Sequence, residues 1–315
     1  MQANFKKSIT IRLLFSSLVL GLSMNCYALD FKKIKEAIKQ NQSSSDVKPA
    51  DNTSSPTTSE SVGQTTTTDN QTTEKTISNI NWKKPTVAEE IELGREITGN
   101  ILGAAPLVKD EGLQKYVNTV GRWVASQSER ADLPWHFGVI ESDDFNAFSA
   151  PGGYVLITKG LYRKLDNEAQ LAGVLGHEIA HVVKKHQLKV IQKQELLNLG
   201  ANFLSSKLGK NNRTAQKVIG SGAEISARKL DKDAEFEADN IGMVLATRAG
   251  YEPFGLAEVL QTLGQTNPAD NKVALLFKTH PSPDERLIKL SDAVGTSLDK
   301  VQAGKTLENR LYKIN

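Results

Sequence analysis

An α+β domain dominated by helix, with one small β-sheet, is the fold that the sequence predicts. Apolar residues recur at helical spacing over residues 86–102 and 112–130, where Leu113, Tyr116, Val117, Val120 and Val124 form one stripe. The pattern then changes. Residues 135–141 and 154–158 are β-branched and aromatic runs around the turn residues Pro151, Gly152 and Gly153, and they read as strands. From Asn167 onward helical periodicity returns almost throughout. Helices, a few short strands, then helices again is the order of an α+β chain.

The chain has 315 residues, 39% hydrophobic and 24% charged, an ordinary globular composition. Its net charge of +3 lies wholly in the first 28 residues, which hold Lys6, Lys7 and Arg12 and no acid. The remainder carries 36 basic and 36 acidic residues. A nucleic-acid binder normally shows a basic surplus, so that class is set aside.

Residues 1–28 read as an export signal. The three basic residues precede an apolar stretch at 13–24, long enough for a signal core and short for a membrane span, and Ala28 offers a small residue for cleavage. The sequence therefore predicts a periplasmic protein without a transmembrane helix in its mature chain. Cys26 is the only cysteine. A lipid anchor there is the alternative, disfavoured because Asn25 stands where a lipobox takes a small residue. Loss of Cys26 with the signal leaves no thiolate, so any metal must be held by His, Asp or Glu.

Residues 29–41 carry Phe31, Ile34 and Ile38 at helical spacing and predict a short amphipathic helix. Residues 42–78 are dominated by Ser, Thr, Asn, Gln and Asp, a composition that predicts a flexible linker. The folded domain is expected over 79–315.

Within it, Asn167 and Gln170 form a capping-box pattern ahead of a helix with Leu171, Val174, Leu175, Ile179 and Val182 on its apolar face. That helix contains His177-Glu178-Ile179-Ala180-His181. Residues i and i+4 share a helix face, so two imidazoles can converge on one ion. Glu178 lies about 100° round from His177. It flanks the ion without ligating it and is placed to act as general base toward a metal-activated water.

A third ligand is needed. The metzincin pattern fails, because its glycine and third histidine positions are Lys184 and Gln187. His186 lies five residues after His181, about 140° off the ligand face, and reads as a surface or supporting histidine at the helix end. The segment from Asp231 to Tyr251 predicts another helix, stopped by Gly250. On it Glu235 and Asp239 share a face, the first as a candidate ligand and the second as an acceptor for a ligand imidazole. Spacing alone does not separate Glu235 from Asp231, Asp233 and Glu237. The linking stretch 187–224 is rather apolar and reads as a helical hairpin packed on the core.

The HEIAH motif followed by E-F-E-A-D-N-I-G resembles metallopeptidase family forty-eight, the group of HtpX, the CAAX prenyl proteases and the BepA-like enzymes. The resemblance covers roughly residues 85–290. It implies a zincin-type, gluzincin domain with one Zn2+ per chain, held by His177, His181 and Glu235, with Asp239 in support. Residues 146–161 are similar to the family's edge strand, which implies that Asn146, Ala147 and Phe148 bind substrate main chain through unpaired backbone groups. THPSPDER at 279–286 is similar to another family segment and implies roles for His280 and Arg286. His280 then has two incompatible jobs: oxyanion stabiliser, or a latch on the fourth metal position. Arg286 would orient His280 or hold a carboxylate.

The expected function is a zinc endopeptidase acting on unfolded or misassembled envelope proteins, in contact with outer-membrane assembly machinery. Two alternatives stand beside it: an assembly factor that binds clients and rarely cleaves them, and a peptidoglycan peptidase.

Overall fold

The computed structural model describes residues 80–207, 230–267, 270–295 and 304–314, with side chains omitted from 197 to 207. The expected export signal, the short amphipathic helix, the whole linker and most of the second half of the 187–224 hairpin lie outside the described residues.

Two helices precede the sheet. α1 is Val87–Ala104, capped by Thr86, whose Oγ1 accepts from Glu89 N while the Glu89 carboxylate accepts from Thr86 N. α2 is Glu111–Ala125, capped by Asp110. It ends five residues short of the expected 130. The backbone turns after Ser126 because Arg130 is held elsewhere: its carbonyl accepts from Trp135 Nε1 at 2.9 Å, and its guanidinium donates to Glu90 at 2.8 Å.

The strands are β1 (His136–Ile140), β2 (Ala147–Ala150) and β3 (Tyr154–Thr158). Their order is β1-β3-β2, with β1 parallel and β2 antiparallel to the central β3. Among the described residues β2 pairs only with β3 and forms one edge of the sheet. Gly152 and Gly153, at φ 79° and 104°, make the tight return from β2 to β3.

The second helical run begins with a single turn, α3 (Lys159–Tyr162), followed by α4 (Glu168–Val183) and α5 (His186–Lys207). α6 (Lys232–Arg248), α7 (Gly255–Gly264), α8 (Asn271–Thr279) and α9 (Pro283–Val294) complete it. Every residue of α4 is buried. It is the central helix, enclosed by α2, α6, α7 and the sheet. The apolar core runs from Val117 and Val124 of α2 through Val155 and Ile157 of β3 to Leu171, Leu175 and Ile179 of α4. This is the helix-dominated α+β architecture expected from the sequence. No described helix is long and apolar enough to cross a membrane.

Candidate metal centre

α4 starts where its capping residues place it. Asn167 Oδ1 accepts from Gln170 N at 2.9 Å. The reciprocal bond differs from a standard capping box, because Gln170 Oε1 accepts from Asp166 N rather than from Asn167 N. Ten residues into the helix, His177 and His181 point the same way, their Nε2 atoms 3.0 Å apart.

α6 crosses α4 at this level with almost no side chain between the two backbones. A Cβ on Gly242 would stand 2.6 Å from His177 N, and one on Gly176 would stand 2.7 Å from Gly242 O. That close approach delivers Glu235 to the histidine pair. Glu235 Oε2 lies 3.6 Å from His177 Nε2, and Oε1 lies 3.6 Å from His181 Nε2.

These distances fit a metal ion. Ligand atoms bound tetrahedrally at 2.0–2.1 Å stand about 3.3 Å from one another; the two imidazole nitrogens here are 3.0 Å apart, and each is 3.6 Å from one of the two Glu235 oxygens, close to that value. Glu235 is fully buried, and its Oε1 has no hydrogen-bond partner among the described residues. A buried carboxylate oxygen left so is costly unless it is paired or binds a cation. Ligand atoms of His177, Glu235 and His280 also lie within 4.8 Å of one another, so His280 stands at the same centre.

The surrounding residues fix this set. His177 Nδ1 is 2.9 Å from Asp239 Oδ1, so with Nε2 turned to the cluster Nδ1 donates to the carboxylate. Arg286, in the first turn of α9, makes a two-pronged contact with Asp239, Nε to Oδ2 at 2.9 Å and Nη2 to Oδ1 at 2.5 Å. Arg286 Nη2 is also 3.2 Å from His177 Nδ1, but a protonated Nδ1 cannot accept from it. His280, at the end of α8, meets Glu235 Oε2 through Nδ1 at 2.7 Å. Arg286 therefore holds a carboxylate, one of the two roles expected for it, and does not reach His280 by a hydrogen bond.

Charge follows geometry. Burial would raise the Asp239 carboxyl, but the Arg286 charge and hydrogen bonds hold it at about 2. Burial works the same way on Glu235, and the charge and hydrogen bond of His280 outweigh it, leaving the carboxyl well below its usual range. His181 is pushed well down by burial and by its neighbour His177, which keeps it neutral and able to ligate.

Glu178 is buried on α4 and lines two adjoining cavities. One is shared with Ala147, Phe148, Glu235 and His280. The other is walled by Leu161, Val174, Leu256 and Leu260 and reaches Asn146.

Comparison with known proteins decides the family. The sequence model for peptidase family M48 matches residues 111–294, which is more than half of the chain. The chain belongs to peptidase family M48. It is 30% identical over 208 residues to a beta-barrel assembly-enhancing protease of Yersinia pestis, covering 64% of this chain and 43% of that protein. The Escherichia coli protein of the same name is 29% identical over the same shares. A mitochondrial metalloendopeptidase of Schizosaccharomyces pombe is 28% identical over 178 residues, 56% of this chain and 52% of its own. The chain thus spans about half or less of these relatives' length. Membership of a metallopeptidase family agrees with the donor set read from the geometry.

The M48 edge strand differs in detail from the sequence expectation. Asn146 N donates to Thr158 Oγ1, and Asn146 O accepts from Thr158 N. With that pair fixed, antiparallel alternation turns Phe148 toward β3 and the main-chain groups of Ala147 and Ser149 outward. The Ala147 N–H is itself accepted by Asn146 Oδ1 at 3.0 Å. The Asn146 side-chain amide nitrogen, by contrast, is buried without a partner among the described residues, in the cavity it shares with His177, Glu178 and His280. Asn146 and Phe148 therefore do not present open backbone groups; Asn146 presents a side-chain donor.

Sequence reasoning missed two features of this M48 centre. Gly176 and Gly242 were legible only as helix glycines, because their role depends on a contact between distant segments. His186 is buried against His181, the supporting one of the two placements expected for it, but the reason read from spacing does not hold. The helix breaks at Lys185, whose φ of 58° starts a new direction, so an angle counted along one continuous helix does not apply.

Proposed function

We propose that this chain is a zinc-dependent endopeptidase that hydrolyses peptide bonds of unfolded or misassembled envelope proteins in the periplasm. The observation that carries the reading is the orphaned Glu235 Oε1 facing the His177–His181 pair at ion-binding distances, with Glu178 on the next helical position. His177, His181 and Glu235 would hold the ion. Zinc, when bound, polarises a carbonyl as a Lewis acid and lowers the pKa of water to about 7.

The chain's own residues do the rest. Substrate main chain adds along β2, reading the outward Ala147 carbonyl and the outward main-chain groups of Ser149 rather than a particular sequence. The unpartnered Asn146 amide donates to a substrate carbonyl. Glu178 takes the proton from the attacking water and returns it to the leaving amine. Asp239, clamped by Arg286, keeps His177 in the ligating tautomer.

The envelope setting is supported by the export-type N-terminus and by relatives named as assembly-enhancing proteases. The test compares wild type with Glu178→Gln for zinc content and for cleavage of an unfolded protein. Both should bind zinc, and the variant should lose about 10²–10⁴ in rate. Zinc binding without cleavage by wild type, while unfolded clients still bind, would sink the peptidase reading in favour of an assembly factor. Cleavage of muropeptides but not proteins would redirect it to the cell wall.

A further inference from the structure

Asp239 and Arg286 account for the orientation of one proposed ligand, His177. Among the described residues, His181 has no carboxylate on its second ring nitrogen, Nδ1. Its Nδ1 instead meets His186 Nδ1 at 2.9 Å, and His186 Nε2 meets Glu237 Oε2 at 3.0 Å. Of the chain's five histidines, four are thus joined at this centre, and only His136 stands apart, stacked on Tyr154.

We propose that His186 and Glu237 form a relay that fixes the tautomer and ring orientation of His181, making Glu237 part of the metal site although it lies outside the cluster. The proposal rests on the ligand set of the preceding section.

Proton accounting allows one arrangement. A ligating Nε2 carries no hydrogen, so His181 Nδ1 does, and it donates to His186 Nδ1. A neutral imidazole that accepts at Nδ1 carries its hydrogen on Nε2, and His186 donates that hydrogen to Glu237. The carboxylate only accepts, so the chain ends there with every ring nitrogen used. Donation of a ligand's second nitrogen to such a partner raises the basicity of the ligating one.

The backbone is built to deliver this contact. Lys185 adopts φ 58°, a conformation that a residue with a side chain rarely takes, and the turn folds His186 back against His181. His186 is buried there, with ring centroids 5.0 Å apart and the planes nearly perpendicular. Glu237 sits two residues after Glu235 on α6, so it does not share the Glu235 face. One helix therefore supplies a ligand to the ion from one face and a supporting carboxylate for another ligand from a second. Glu237 is about half exposed, and the relay ends at the protein surface.

The test measures zinc affinity of the full chain by competition with a chromophoric chelator, and the visible spectrum after Co2+ substitution. His186→Leu, which cannot accept, should weaken zinc about 10–100-fold and alter the cobalt bands; His186→Gln, which keeps an acceptor oxygen, should recover most of the loss. Glu237→Ala should weaken zinc several-fold, roughly at the low end of that range. Because Glu237 is exposed, this variant decides the matter even if His186→Leu does not fold. Zinc affinity and cobalt spectrum both unchanged in Glu237→Ala would overturn the relay. His181→Ala separates the two levels: if it loses zinc while the relay variants do not, only the relay is wrong. If it keeps wild-type affinity, the ligand set is wrong and the relay falls with it.

Discussion

Gly176 and Gly242 meet main chain to main chain where α4 and α6 cross, a methyl on either standing within 2.7 Å of the opposite backbone. The contact sets the distance between the helix that carries His177 and His181 and the helix that carries Glu235. Gly242→Ala should therefore act on both stability and metal binding. Forcing a methyl into a closed backbone contact costs about 1–3 kcal/mol, and the separation of Glu235 from the histidines should weaken zinc binding as well. Gly99→Ala in α1 is the control, since nothing lies within 4 Å of its Cβ position and the helix propensity gain is about 0.5–1 kcal/mol. Thermal unfolding and zinc titration of the two variants should move in opposite directions on stability, and only Gly242→Ala should change the zinc affinity.

The Asp239–Arg286 pair predicts a pH dependence. Asp239 titrates at about 2 in the folded chain against an ordinary 3.8, because Arg286 outweighs the effect of burial. A folded-state pKa below the unfolded one means that the contribution is complete above about pH 4 and is lost as pH falls toward 2. A shift of this size corresponds to roughly 2 kcal/mol. Asp239→Asn should cost more, about 3–5 kcal/mol at pH 7, because it leaves the buried Arg286 guanidinium without its carboxylate. Urea unfolding at pH 7 and pH 3 should show the gap between wild type and variant narrowing at the lower pH. An equal gap at both would remove Asp239 as the titrating group.

What the sequence made legible was local. The His177–His181 spacing, the Asn167 cap and the strand at 154–158 depend on residues a few positions apart, and they recur in the fold as read. Glu235 needed the family resemblance, because Asp231, Asp233 and Glu237 offered the same chemistry nearby. The remainder is non-local. α2 stops at Ala125 because Arg130 is drawn to Glu90 on another helix. The open groups on β2 depend on register parity with Thr158. The value of Gly242 depends on a glycine 66 positions earlier, and periodicity within one helix carries no signal of that.

Lys185 separates backbone strain from charge pairing. Its φ of 58° is strained for a side-chain-bearing residue, while its Nζ pairs with the fully buried Glu90, which Arg130 also contacts. Lys185→Ala and Lys185→Gly both remove the ion pair, but only glycine relieves the backbone. The glycine variant should be the more stable of the two by about 1 kcal/mol. Chemical denaturation of both reads the difference directly, and equal midpoints would mean that the turn before His186 holds no strain.

His280 bears on both the ion and its ligand. Its Nδ1 binds Glu235 Oε2 at 2.7 Å, the shortest contact that this ligand makes. Its position within 4.8 Å of the His177 and Glu235 donors also puts it at the centre itself. Burial would lower its pKa, but the Glu235 carboxylate raises it, so the pair favours the charged imidazole when no ion competes. His280→Ala should weaken zinc binding about 10-fold, because Glu235 loses the partner that orients it. Zinc affinity within about twofold of wild type would show that His280 does not orient the ligand. With zinc restored to saturation, peptide cleavage then discriminates the two roles that the sequence left open. Faster turnover in His280→Ala identifies a latch that had occupied the working position. A loss of about 10²–10³, the size seen when an oxyanion donor is removed, identifies transition-state stabilisation.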